Sequence, residues 1–287
     1  MTEQNKTDKL VALVDASTYA RSVCDHAAWI ASRANLEVEL MHVLGRREAG
    51  DTDLSGSIAL GARTSLLKEL TELDEKRSKL SAQQGRAILE DAQAILAEAG
   101  VRATTHMRHG DLVEAIAEKA DQAETIVVGK RGEAAAYAQG HLGSNLDRVM
   151  RSVTRPLFVA SETFQPIQRV LVATDGSPSA MRAVDHIARS PVYAGLEITV
   201  VTFGADTPAA RKTVDDARAV LAGAGITAVT EVRPGPPDEA LAELVATEHV
   251  DHLVMGSSGH TRMRAFFVGS TTLAMLGASP VPILLVK

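Results

Sequence analysis

The chain has 287 residues, 45% of them hydrophobic and 23% charged, which is ordinary globular composition and excludes a disordered or collagen-like chain. The formal net charge is −6. Split at Glu162, the two parts carry −4 and −2 (20 basic against 24 acidic, then 10 against 12), so neither offers the cationic face that duplex nucleic acid needs.

Other features narrow the class further. Aromatic residues make up 3% of the chain, too few for the platforms on which single strands stack. Cys24 is the sole cysteine, which precludes an intrachain disulfide and a four-cysteine zinc site. No apolar run approaches the roughly 20 residues of a membrane span. The start MTEQNKTDKL lacks the apolar core of a signal peptide. The expectation is a soluble cytoplasmic protein without nucleic-acid or membrane partners.

From the N-terminus, KLVALVDAS (9–17) is a short apolar run ending in Asp-x-Ser, and it predicts a buried strand followed by a turn. VELMHV (38–43) is the next such run. GRREAGDTDLSGS then reads as loop. Leu66, Leu67, Leu70, Leu73 and Leu80 follow at helical spacing. They predict an extra helix over 62–80 leading into a second helix over 82–98. Its apolar stripe is expected to cover a pocket of this half or to contact another chain. EAGVRATTHMRHG (98–110), TIVVGKRG (125–132) and RPLFVA (155–160) complete a first series.

The series then starts again, with a seam near 161–168. RVLVATDGS (169–177) and ITVVTF (198–203) match the first two runs at an offset of 160. GAGITAVTEVRPG (223–235), HLVMGSSG (252–259) and VPILLV (281–286) match the last three at offsets of 125, 127 and 126. The chain is therefore a duplicated unit. The drop of 160 − 125 = 35 places an insertion in the first copy, at about 46–80. The expected domains are 1–162, with that insertion, and 163–287.

In the second copy, strands are predicted near 169–174, 196–203, 226–232, 252–256 and 281–286. Helices are predicted near 178–189, 208–223, 237–248 and 270–277, the first capped by Ser177 with Pro178 in its first turn. Such alternation implies an α/β fold, a five-stranded parallel sheet with helices on both faces. The predicted strand order is 3-2-1-4-5, with ligands outside the carboxyl ends of strands 1 and 4. The last strands, 157–160 and 281–286, are apolar edges, and they are expected to pair with each other.

At that switch point the second copy carries Asp175-Gly176-Ser177 after strand 1. After strand 4 it carries G-x2-G-x9-G-S: Gly256, Gly259, Gly269 and Ser270. Glycines let backbone approach an anion closely. A helix opening at Gly269-Ser270 favours phosphate through its N–H groups and dipole. Ser270 and Thr271 can donate to phosphate oxygens, and His260 lies within the loop. Asp175 suits a ribose hydroxyl or a bound Mg²⁺.

The strand-1 DGS, the G-x2-G-x9-G-S segment and the final SPVPILLVK together resemble the universal stress protein family in its tandem two-domain form. The resemblance covers the chain outside the insertion. It implies two tandem Rossmann-like domains, ATP or AMP as ligand, self-association or a regulatory protein partner, and a stress-response role. Carried over, Asp175 matches the acidic nucleotide contact. Phe203 falls where the family lines the adenine pocket. Gly256, Gly259, Gly269 and Ser270 match the phosphate-and-ribose loop. The first copy departs from the pattern. Asp15 is in place and Val43 corresponds to Phe203. The loop reads Gly129-Lys130-Arg131-Gly132, then ten residues, then Gly143-Ser144, one residue longer than in the second copy. Its two cations either add phosphate affinity, fill the pocket, or are solvated or salt-bridged, so the second copy is expected to bind better.

Other chemistries find no support. There is no G-x4-G-K-[ST] and no G-x-S-x-G. His249 and His252 straddle a helix end and a strand start, and are not expected to be ligands. His42 and His141 have no carboxylate partner identifiable by spacing, and Cys24 reads as core. A scaffold without nucleotide is the alternative. A nucleotide-dependent transferase or hydrolase is less favoured, because neither an SGG-type loop after strand 1 nor paired histidine motifs occur.

Overall fold

Apolar runs of four to nine residues separated by amphipathic stretches fold as the alternation requires, because all but the two outermost strands bury both faces beneath helices. The computed structural model describes residues 9–45, 60–132, 144–257 and 269–287; side chains of 60–67 and 144–145 stand outside that description. The first half contains β1 (Lys9–Leu13), α1 (Ala20–Ala34), β2 (Glu37–Gly45), α2 (Leu60–Glu98), β3 (Ala103–Gly110), α3 (Leu112–Ala120), β4 (Ala123–Gly129), α4 (Ser144–Ser152) and β5 (Leu157–Ala160). The second contains β6 (Arg169–Ala173), α5 (Pro178–Arg189), β7 (Glu197–Phe203), α6 (Pro208–Gly223), β8 (Ala228–Arg233), α7 (Pro237–Thr247), β9 (His252–Gly256), α8 (Ser270–Ala278) and β10 (Ile283–Val286).

Each half has the order 3-2-1-4-5, and the halves join into one sheet, β3-β2-β1-β4-β5-β10-β9-β6-β7-β8. Strands are parallel within each half. The seam is antiparallel, with Ile283 opposite Val159, Leu284 opposite Phe158 and Leu285 opposite Leu157. The last strands thus pair with one another, about a pseudo-two-fold axis through the seam. Equivalent contacts recur on both sides of it. Ser22 donates to the Ser161 carbonyl at 2.8 Å, and Arg182 to that of Lys287.

Period-two alternation sends successive strand residues to opposite faces. Val170 and Val172 enter one core with residues of α1, α2, α5 and α6. Leu171 and Ala173 enter the other with α3, α4, α7 and α8. Both cores run across the seam. There Phe158 stacks on His252 at 5.0 Å, and Tyr193 stacks on the same imidazole. His26 sits edge-on to Phe164 at 5.0 Å. His252 is a core residue, bonded through Nδ1 to the Pro282 carbonyl at 3.0 Å. His249 lies beyond the end of α7, in the left-handed region with φ 52°. Cys24 is fully buried, and burial pushes its thiol up to about 12.

The region of the insertion differs from expectation. The two predicted helices are one, the 39-residue α2. Residues around Ser81 contain no breaker, so nothing ends the first helix before the second begins. Gly85, Leu89, Ala92 and Leu96 bury one stripe of α2, whereas 68–80 are all exposed. Gly85 is required by close approach: a Cβ there would lie 2.8 Å from His42 Cδ2 and 3.0 Å from Met107 Sδ. His42 itself bonds to the Val14 carbonyl at 2.8 Å; His141 lies outside the described residues.

Candidate functional site

The second half forms a cleft at the carboxyl ends of β6, β7 and β9, roofed by α7 and the start of α8. Its lining includes Thr174, Asp175, Thr202, Phe203, Pro237, Leu241, Met255, Gly256, Gly269, Ser270 and Thr271. The space is about 220 Å³, well above the roughly 10–15 Å³ of such space that one water needs, so it has room for a group larger than water. Among the described residues, five separate stretches, 173–180, 202–203, 237–241, 255–256 and 269–272, therefore converge at the switch point.

Asp175 is set by its own turn. Its Oδ1 accepts the Ser177 N–H at 2.9 Å, and Gly176 takes φ 76°, a conformation that favours glycine. Ser177 then caps α5 by accepting the Ala180 N–H at 3.3 Å, with Pro178 next. Among the described residues, Asp175 is the one acidic residue lining the cleft.

Gly256 answers a packing demand. A Cβ there would fall 2.6 Å from the Ala180 nitrogen and 2.7 Å from the Ser179 carbonyl carbon, so only glycine lets β9 end against the first turn of α5. On the other side, α8 opens on Gly269 with no side-chain cap among the described residues, and its first turn lines the cleft. The Gly269 N–H bonds to the Ser257 carbonyl at 3.0 Å. Thr272 donates to the Gly256 carbonyl at 3.3 Å, tying the helix start to the strand end. Gly259 and His260 lie outside the described residues.

Pro237, Leu241, Thr202 and Met255 did not stand out in the sequence. Leu241 lies on the buried stripe of α7, and only the path of α7 over the sheet turns it toward the cleft.

The first copy is built differently at the same place. Asp15 accepts the Ser17 N–H at 3.0 Å in the matching turn. Gly132 comes back against it: a Cβ there would lie 3.0 Å from Asp15 Oδ2. Gly129 packs on Tyr19, which stands where the second copy has Ser179; a Cβ would meet Tyr19 Cβ at 2.8 Å. Val43 is half-buried at the end of β2.

Lys130 crosses the seam and donates to the Ser279 carbonyl at 3.0 Å, at the C-terminal end of α8. A cation at that end is favoured by the helix dipole. Burial, then the neighbouring Arg131, lowers the Lys130 pKa from its ordinary value. Lys287 makes the reciprocal contact, donating to the Arg151 carbonyl in α4 at 2.8 Å. Arg131 is exposed, and its charge acts on Tyr19. Gly143 and the side chain of Ser144 lie outside the described residues. No helix among the described residues is long and apolar enough to cross a membrane.

A model of the universal stress protein family matches residues 6–161 and again 166–287. The universal stress protein Slr1230 of Synechocystis sp. is 34% identical over 281 residues, 96% of this chain and 98% of that one. A universal stress protein from Archaeoglobus fulgidus DSM 4304 has a similar structure, with a TM-score of 0.72 at 19% identity, over 98% of this chain and 99% of that one. A functionally unknown protein, PA1789 of Pseudomonas aeruginosa PAO1, gives 0.63 at 14% identity, over 99% and 93%.

Proposed function

The chain belongs to the universal stress protein family, and on that premise we propose that its second half, 163–287, binds an adenine nucleotide, ATP or AMP. The observation that carries this reading is the convergence of Asp175, Phe203, Gly256 and the Gly269-Ser270-Thr271 helix start on one cleft. An apolar floor with a few convergent polar groups is what a small-molecule site requires. Phe203, Leu241 and Met255 offer apolar contact to a base. Asp175 would accept from ribose hydroxyls or hold a nucleotide-bound Mg²⁺. The first turn of α8 would take phosphate.

The role is regulatory, in the cytoplasm: nucleotide state selects a conformation or a protein partner. That requires the ligand to bind one conformation better than the other. In the first half, 1–162, the corresponding site is the weaker one, because Lys130 is engaged across the seam and Gly132 lies against Asp15.

Calorimetric titration of the full chain with ATP and AMP tests the proposal. One strong site per chain is expected. No uptake of either at millimolar concentration overturns it and leaves the scaffold reading.

A further inference from the structure

We propose that the exposed half of α2 is a self-association element that pairs antiparallel with the same segment of a second copy. Leu70, Leu73 and Leu80 are 40%, 60% and 65% exposed. With Arg77 they are spaced 3-4-3 along the sequence, the spacing of a two-stranded coiled-coil seam. They do not extend the stripe that docks α2 on its own sheet. At 100° per residue, Leu80, Leu73, Arg77 and Leu70 stand roughly 140°, 120°, 80° and 60° around the helix from Gly85. The seam therefore lies beside the stripe that buries Gly85, Leu89 and Ala92 and turns away from it through Leu73 and Leu80, in a stretch, 68–80, that is exposed throughout. The apolar strands β5 and β10 are already paired with each other inside the chain, so a second copy cannot pair through them.

Charge selects the partner, the direction and the register. Glu69 and Lys76 flank the seam on one side, Asp74 and Ser81 on the other. In a parallel pair Glu69 would face Asp74 of the second copy, twice. In an antiparallel pair with Leu70 opposite Leu73, Glu69 faces Lys76 of the second copy, twice. Sliding by one heptad sets Lys76 against Lys76 or Glu69 against Glu69. Of these arrangements, the one with Leu70 opposite Leu73 alone brings opposite charges together, and the occupant it matches is this segment itself. The pairing also carries the two bodies off in opposite directions.

Sedimentation velocity on the full chain tests this. A dimer is expected, and Leu70→Ala/Leu73→Ala should return it to monomer with an unchanged unfolding midpoint in dilute solution, since both side chains are exposed. Glu69→Lys should raise the dissociation constant roughly tenfold by turning two attractions into repulsions, and Glu69→Lys/Lys76→Glu should restore it. A wild-type monomer at about 0.1 mM overturns the proposal. So does a dimer that survives loss of both leucines. Tighter association of Glu69→Lys would mean parallel pairing and overturns it as well.

Discussion

Asp175 accepts a turn N–H and also lines the cleft, so its substitutions separate two roles. Asparagine keeps an oxygen for the turn but loses the charge. Asp175→Asn should hold the unfolding midpoint near wild type and weaken nucleotide binding about tenfold, the difference between a charged and a neutral hydrogen bond. Asp175→Ala should lower both, and calorimetry with thermal unfolding reads the pair. Lys130 lends itself to the opposite test. Its ammonium is spent on the Ser279 carbonyl, so Lys130→Ala should leave nucleotide stoichiometry unchanged. It should cost about 0.3–1 kcal/mol of stability, measured by denaturant titration. A loss of bound nucleotide would instead make Lys130 a phosphate ligand. Gly256→Ala puts a methyl group against backbone at 2.6 Å. A cost of about 1–3 kcal/mol in unfolding free energy is expected from such overpacking. No cost would show that β9 and α5 can move apart.

At the scale of elements, α2 combines two helices' work in one rod of 39 residues, about 58 Å long. Its second half is held by burial at Gly85, Leu89, Ala92 and Leu96. Its first half is rich in Leu, Lys, Glu and Arg, good helix formers, and it continues from a turn already nucleated. Removing 46–80 should therefore leave a cooperatively folded monomer whose melting temperature in dilute solution is close to wild type. Circular dichroism should show less helix. A collapse of the melting transition would mean that the exposed half belongs to the core after all. The stripe of leucines was visible in the spacing. That Leu70, Leu73 and Leu80 stay in solvent was not, because spacing gives the face of a helix and not what that face meets.

At the scale of the whole molecule, the two halves are welded by a seam in which aromatic rings and histidines pack without charge. Burial holds His26 and His186 down to about 4 and His252 down to about 3; the Ser22 carbonyl and Asp25 oppose it at His26, Asp185 at His186 and the Pro282 carbonyl at His252, but burial outweighs them. In the unfolded chain these imidazoles titrate near 6.5. Their folded pKa values are lower, so between about pH 6.5 and 4 the unfolded state binds more protons than the folded one. Stability must fall as the pH drops through that window, by up to about 1.4 kcal/mol per pH unit for each histidine. Urea midpoints measured from pH 7 to 4.5 should decline accordingly. A flat profile would show that the seam admits water or a counter-charge.

The sequence by itself determined the duplication, the strand order of each half and most element boundaries. Internal repetition and period-two against period-3.6 patterning are local properties that survive without coordinates. It also located Asp175, Gly256 and Gly269 as a group, because the carboxyl ends of neighbouring parallel strands follow from topology alone. Only the tertiary structure decided which glycine serves packing: the 2.6 Å approach of β9 to α5 is a relation between segments some 76 residues apart. Only it sent Lys130 to α8, across a seam whose antiparallel register no single copy encodes. Only it left Leu70, Leu73 and Leu80 outside, because the direction in which a helix leaves its sheet depends on what the rest of the chain has already covered.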